Sequence, residues 1–203
     1  MRRGDETLLG HVAANGNKET AEVLIKGGAA IEGNDDLART PLLRAVEAGN
    51  LEMCLYLLGL KADPNYGMVM PDGRIAPLHL AVRGHEAIAK HLLEHGANIE
   101  ARDPLQSTPL FIAALEGKLA MCQVLVDAGA DINACAVSGD SVVSIAAKSG
   151  HLEVVRYVLT QGASVMPPPA VRGRKWKYFE FDGNVDYGRR SEILALLRAY
   201  KHG

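Results

Sequence analysis

The segment APLHLAVRGHEAIAKHLLEHGANIEARD, residues 76–103, carries the pattern on which the fold of the whole chain depends. A short apolar stretch leads to Gly84, a longer amphipathic stretch leads to Gly96, and a polar exit follows. A glycine in a left-handed conformation commonly ends a helix, and apolar residues at helical spacing predict a helix between the two glycines. The segment therefore predicts two short helices joined by a tight turn.

This unit recurs along the chain with a period of about 33 residues, which is typical of stacked repeat architectures. Each copy opens with threonine or a substitute, has a glycine near its middle, and ends its second helix with another glycine or a lysine. Repeats of this kind bury their apolar faces against their neighbours. The three sets of markers are Thr7, Thr40, Ala76, Thr108 and Ser141; Gly16, Gly49, Gly84, Gly117 and Gly150; and Gly28, Lys61, Gly96, Gly129 and Gly162.

Helix starts are marked by Thr-Pro-Leu at residues 40–42 and 108–110. Proline suits the first turn of a helix, because its fixed φ is already helical and its missing N–H would have no partner there. A threonine directly before it can cap the exposed backbone donors. These tripeptides predict the first residue of one helix in each of two repeats.

These motifs resemble the ankyrin-repeat family, in APLHLA at 76–81, GH at 84–85 and 150–151, and GADIN at 129–133. The resemblance extends over about residues 5–166 and implies an all-α repeat solenoid of stacked helix-turn-helix units joined by β-hairpin fingers. It implies that residues 1–166 form five repeats, and that residues 167–203 form an irregular aromatic and basic segment with the capping helix of an incomplete sixth repeat. The expected repeat bounds are 5–34, 35–67, 68–102, 103–135 and 136–166.

Two departures from the regular repeat are expected to change the structure locally. Lys61 stands where the other units have glycine, so a left-handed conformation there would cost about 1 kcal/mol. The stretch from Lys61 to Ala76 is also three residues longer than its counterparts. This extension predicts a longer finger that turns at Pro71-Asp72-Gly73.

The repeat pattern ends at residue 166, where three prolines follow. The final apolar-periodic stretch, 191–200, predicts a helix with Ser191 as its cap. Between them, basic and aromatic residues alternate irregularly, which we interpret mainly as a cover for the end of the stack. The same stretch supplies a second candidate surface, formed by Arg174, Lys175, Trp176, Tyr178 and Phe179.

Composition argues against several classes of function. Net charge is −2, so no overall field draws the chain to nucleic acid or to an anionic membrane. No apolar run approaches the roughly 18 residues of a membrane span. Three cysteines without a CxxC pair are typical of reduced thiols, and predict a cytoplasmic protein, with a nuclear location left open.

Catalytic and metal-binding motifs are incomplete in this sequence. His85-Glu86 begins a zinc-protease pattern, but the second histidine is replaced by Ala89. His91 and His95 are spaced for a shared metal but lack a third ligand. Phosphate-binding and nucleophile-elbow motifs are also missing. The sequence therefore predicts no enzyme, no catalytic residue, no cofactor and no metal.

The resemblance implies that recognition lies on finger tips and on the exposed part of the first helices, along a concave face. We therefore predict a non-catalytic protein-binding module, acting as adaptor, scaffold or inhibitor, which is a monomer by itself and binds a folded protein. The alternatives are an enzyme or ligand-binding protein that uses residues 167–190, or weak nucleic-acid binding through the same stretch. The predicted partner-binding residues are Asp36, Leu37, Arg39, Glu47, Met68, Met70, Arg74, Leu105, Ser107, Leu115, Glu116, Val137, Ser138, Asp140 and Lys148.

Overall fold

The structure is a computed structural model of the chain, and it describes residues 4–35, 38–165 and 185–201. The chain divides into two compact units, Met1–Pro104 and Leu105–Gly203. This division falls within the repeat pattern, whereas the sequence places its main boundary at residue 166. The repeat bounds given above stay a prediction.

The first unit is built from helix pairs that stack on one another. Within each pair the two helices pack together, and the pairs then pack first helix on first helix and second helix on second helix. Leu43, Leu57, Leu78 and Leu92 are fully buried in the resulting core. The first helices are α1 (Gly4–Asn15), α3 (Pro41–Glu47) and α5 (Pro77–Ala81), and the second helices are α2 (Lys18–Lys26), α4 (Leu51–Gly59) and α6 (Glu86–Glu94).

The second unit repeats this arrangement and adds a helix at its carboxyl end. The first helices α7 and α9 pack together, the second helices α8 and α10 pack together, and α11 packs on α10. Leu110, Met121, Leu125 and Val155 are fully buried between them. The prediction of an all-α repeat solenoid is thus confirmed within each unit. The helices are α7 (Pro109–Leu115), α8 (Leu119–Asp127), α9 (Val142–Lys148), α10 (Leu152–Thr160) and α11 (Tyr187–Lys201).

The helix starts predicted from Thr-Pro-Leu are confirmed. The hydroxyls of Thr40 and Thr108 each accept a hydrogen bond, over 3.2 Å, from the backbone N–H three residues later. Ala76 has no hydroxyl to offer at the same position. There the hydrogen bond runs in the opposite direction, because Nδ1 of the buried His79 accepts from the Ala76 N–H over 3.1 Å.

The longer finger is the one place in the described residues where two strands pair. Strand β1 (Met68–Met70) runs antiparallel to β2 (Gly73–Ile75), with Met70 opposite Gly73. The predicted turn is therefore confirmed, although Gly73 already belongs to the second strand. Elsewhere in the described fingers, a single bridge joins Cys135 to Ser141, so these fingers are tight turns with little strand pairing.

Lys61 adopts the left-handed conformation expected of it, with φ of 69°. We expect Lys61→Gly to raise the free energy of unfolding by about 0.5–1 kcal/mol, because the relief of backbone strain exceeds the added entropy of the unfolded chain. Lys61→Ala is the matched control, since it removes the charge but keeps the β-carbon that causes the strain. Urea unfolding followed by circular dichroism measures both. Equal stabilities of the glycine and alanine variants would contradict this account.

The last helix begins earlier than predicted and has a different cap. Asp186 Oδ1 accepts from the Arg189 N–H over 2.9 Å, so Asp186 caps α11. Ser191, the predicted cap, lies inside the helix, and its hydroxyl donates to the Tyr187 carbonyl over 3.0 Å. The sequence pattern missed this start because the first turn of α11 is polar.

The place of α11 in the second unit matches that of a second helix. A β-carbon added at Gly150 would lie 2.8 Å from Val185 Cγ2, just as one added at Gly117 would meet the ring of His151. Val185, two residues before α11 begins, thus covers Gly150 as His151, directly before α10, covers Gly117. This equivalence supports the interpretation of α11 as part of an incomplete repeat.

Candidate protein-binding surface

In the second unit, one ion pair shows which side of a first helix faces its finger. Lys148, at the end of α9, places Nζ 2.5 Å from Oδ1 of Asp140, at the base of the finger. Ile145 lies three residues before Lys148 and so shares this side of the helix. Because α7 and α9 are equivalent helices, Ile112 and Leu115 are the matching positions of α7. All of these positions are on the finger side.

The side chains of α7 and α9 that reach solvent are almost entirely aliphatic. Of residues 109–115 and 142–148, only Ile112, Leu115, Ile145 and Lys148 are not buried. The lysine among them is already paired with Asp140. What these two helices offer to solvent is therefore hydrocarbon.

The finger tips of the second unit also expose aliphatic side chains. Leu105 is 70% exposed and Val137 is 58% exposed. The Val137 N–H donates to the Leu105 carbonyl over 3.1 Å, so the two finger tips are direct neighbours. We use the name apolar face for the set Leu105, Ile112, Leu115, Val137 and Ile145.

At the equivalent positions, helix α3 of the first unit carries charges. In α3 they are Arg44 and Glu47, whose side chains lie 3.8 Å apart, and Arg39 at the finger base lies 3.5 Å from Glu47. Arg39 is also bound to Asp35 over 2.8 Å. Folding of the repeat thus does not require aliphatic residues at these positions. Their presence in the second unit calls for a different explanation.

The long finger of the first unit presents a mixed surface. Val69 is 50% exposed and Met70 is 37% exposed, while Met68 is partly covered. The Arg74 guanidinium lies 5.7 Å from the centre of the Tyr66 ring. A cation over an aromatic face is attracted by the ring quadrupole, so Arg74 helps to fix the finger as well as to expose a charge.

The predicted partner-binding residues divide into three groups. Ser107 is only 5% exposed, so little of its surface is available to a partner. Arg39, Glu47, Asp140 and Lys148 are bound in ion pairs within their own repeats. The exposed residues are Met70, Arg74, Leu105, Leu115, Glu116, Val137 and Ser138, and Met68 is partly exposed.

Several predicted residues lie outside the part of the chain that the structure describes. These are Asp36 and Leu37 of the second finger and the whole of the second candidate surface, namely Arg174, Lys175, Trp176, Tyr178 and Phe179. The alternative functions assigned to residues 167–190 therefore stay predictions.

Sequence reasoning missed Ile112 and Ile145. Each follows the opening residue of its repeat by the same number of positions as Arg44 does. Arg44 is the signal in the sequence that points to them, because an arginine at this position of the second repeat indicates that the position can reach solvent.

No catalytic arrangement is visible in the described residues. A groove of about 310 Å³ in the second unit is lined by His151, Glu153, Arg189 and Glu192 among others, but by no serine, threonine or cysteine. The ring of His151 is held in place, because Nε2 lies 2.9 Å from the Leu115 carbonyl oxygen. Among the described residues no group of three or more His, Cys, Asp or Glu could hold a metal ion.

Comparison with known families decides what these repeats are. The family model described as ankyrin repeats, in three copies, matches residues 2–68 and 78–168. The chain belongs to the ankyrin-repeat family. The ankyrin repeat is a non-catalytic fold and a general protein-interaction module, and proteins are accordingly the class of partner that it implies. Within the described residues, no helix combines the length and apolar character needed to cross a membrane.

Three relatives show how widely this ankyrin-repeat region resembles parts of other proteins. The transient receptor potential cation channel subfamily A member 1 homologue of Caenorhabditis elegans is 36% identical over 121 residues, 59% of this chain and 10% of the channel. The putative E3 ubiquitin-protein ligase XBAT34 of Arabidopsis thaliana is 37% identical over 114 residues, 56% of this chain and 30% of the ligase. Human ankyrin repeat and SOCS box protein 3 is 36% identical over 106 residues, 52% of this chain and 20% of that protein. The matched regions are thus small parts of proteins with different names and roles.

Proposed function

We propose that this ankyrin-repeat protein is a non-catalytic binding module, an adaptor, scaffold or inhibitor, that holds a folded partner protein on the finger side of its repeats. The observation that carries the proposal is the apolar face of the second unit. Leu105, Leu115 and Val137 are exposed and Ile112 and Ile145 are partly exposed, whereas Arg44 and Glu47 occupy the positions of α3 that are equivalent to Ile112 and Leu115. Contiguous exposed apolar residues commonly mark a partner site.

The ion pairs within the repeats also support this proposal. They tie Arg39 to Glu47 and Asp140 to Lys148, and so fix each finger against its own first helix. A binding surface whose parts are held before the partner arrives loses less conformational entropy on association. We further propose that the chain is a monomer by itself and acts in the cytoplasm.

The test compares a finger-tip variant with a matched control in co-purification from a native lysate. Leu105→Asp combined with Val137→Asp places two charges on finger tips that take no part in the core. Val23→Asp is the control, because Val23 is also an exposed aliphatic residue, 69% accessible, but lies on the second helix α2. The candidate partner is then purified, and its affinity for each variant is measured by calorimetry.

We expect a partner that the natural chain and Val23→Asp retain and that the finger-tip variant binds at least about tenfold more weakly, as for residues at the centre of an interface. A partner retained equally by all three chains would place the contact elsewhere. Conversion of a small molecule by the purified chain would contradict the proposal itself.

A further inference from the structure

Two charged residues on the finger side of the second unit, Asp140 and Lys148, are already paired with each other. Besides the Lys148 ammonium at 2.5 Å, Asp140 Oδ1 accepts from the Ser144 hydroxyl over 3.1 Å. Only 28% of the Lys148 side chain and 19% of the Asp140 side chain are exposed. Breaking a shielded, hydrogen-bonded ion pair is costly. A charged partner group that approached either residue would have to compete with a bond that is already made.

Around this pair, the described surface of α7 and α9 consists of aliphatic side chains. Ile112, Leu115 and Ile145 are the remaining residues of these helices that reach solvent. A charge or polar group pressed against them would lose water without gaining a hydrogen bond. An apolar group in the same place would release water from both surfaces. The electrostatic character of this surface therefore fits an uncharged occupant.

The same positions of α3 in the first unit would favour a charged or polar partner group, since they present the guanidinium of Arg44 and the carboxylate of Glu47. We propose, on the basis of the proposed function, that the partner presents an uncharged segment rich in aliphatic or aromatic side chains to the apolar face. Polar residues of the partner then meet the rim of the contact, where Glu116 and Ser138 are exposed. An apolar centre with a polar rim is the usual anatomy of a protein interface.

The probe for this proposal is a library of random peptides displayed on phage and selected against the full chain. Selected peptides are synthesised, and their dissociation constants are measured by fluorescence anisotropy. We expect sequences rich in aliphatic and aromatic residues with net charge near zero. Their dissociation constants should change less than about twofold between roughly 50 and 500 mM NaCl, because salt screens charges and leaves apolar contacts.

The matched variant copies a surface that the protein already contains. Ile112→Arg with Leu115→Glu gives α7 the pair that α3 carries as Arg44 and Glu47. The repeat is therefore expected to keep its fold, which circular dichroism verifies. The variant should bind the selected peptides at least about tenfold more weakly, and Ile145→Arg provides a second, single substitution on the neighbouring helix. Val23→Asp serves again as the control, with unchanged affinity.

Three results would overturn this inference, and they differ in what they say of the proposed function. Peptides rich in lysine and arginine, or in aspartate and glutamate, with salt-dependent affinity would show a charged occupant and leave protein binding intact. Apolar peptides that bind both helix variants as tightly as the natural chain would show that the apolar face is not their site. Failure to enrich any peptide above the uncoated support would count against the inference and the proposed function together.

Discussion

Gly117→Ala is expected to lower the free energy of unfolding by about 2–4 kcal/mol, in the range of severe core substitutions. Two separate costs add at this position. Gly117 has φ of 70°, where any β-carbon is strained. The new β-carbon would also lie 2.6 Å from Cε1 and 2.8 Å from Cγ of the His151 ring. The ring is not free to rotate away from the new β-carbon, because Nε2 is held 2.9 Å from the Leu115 carbonyl oxygen.

A matched glycine separates the two costs. Gly129 has φ of 93°, but a β-carbon added there would meet nothing within 4 Å. Gly129→Ala should therefore show the backbone cost alone, about 1 kcal/mol. Urea unfolding of both variants, and of Gly117→Ala in a His151→Ala background, measures the steric part. We expect the penalty at Gly117 to fall to that of Gly129 once the ring is removed.

This prediction has a clear contrary outcome. If Gly117→Ala were no more harmful than Gly129→Ala, the contact between the glycine and His151 would contribute nothing to stability. If its penalty were unchanged without the imidazole, the steric explanation would be wrong and the backbone conformation alone would carry the effect.

The contact between Gly117 and His151 also shows what the sequence could and could not predict. Gly117 is one of the repeat markers, so its role at a helix end was predictable, and its positive φ confirms it. The residue that covers it is 34 positions away and belongs to the next repeat. Periodicity indicates where each repeat turns, but not which side chain of the following repeat packs against the glycine at that turn.

The candidate site was predicted in part, for a related reason. Leu105 and Val137 are apolar residues within polar fingers, and this contrast reveals them in the sequence. Ile112 lies within PLFIAAL, residues 109–115, where every residue is apolar and no helical face stands out. Only the packed structure distinguishes the buried Phe111 from Ile112, which is partly exposed. The burial of Ser107 likewise depends on how the finger folds back, which hydrophobic pattern does not encode.

Cys54 and Cys122 should react with iodoacetamide at pH 8 at least about a thousandfold more slowly in the folded protein than after unfolding, because the thiolate is the reactive form. Both side chains are fully buried, and each lies 14 residues after the opening threonine of its repeat. Burial raises the pKa of each thiol from 9.0 to about 12. Cys135 is only partly buried and should react first. Peptide mapping by mass spectrometry, with and without urea, distinguishes the three sites.

The raised pKa values also fix the sign of an effect on stability. The folded chain keeps Cys54 and Cys122 protonated, whereas the unfolded chain loses these protons above its pKa of 9.0. Stability contributed by the buried neutral thiols is therefore fully present below pH 9 and is lost as pH rises from about 9 toward 12. Replacement of both cysteines by alanine should remove this part of the alkaline destabilisation.

Each buried thiol also reports on its own unit, since Cys54 lies in α4 of the first and Cys122 in α8 of the second. Labelling in increasing urea, on a Cys135→Ser background, gives the free energy of the opening that exposes each one. Equal values would mean that the two units open in one cooperative step, and a lower value for one would identify the less stable unit. Rapid labelling of either cysteine in a chain with native circular dichroism would contradict its burial in the core.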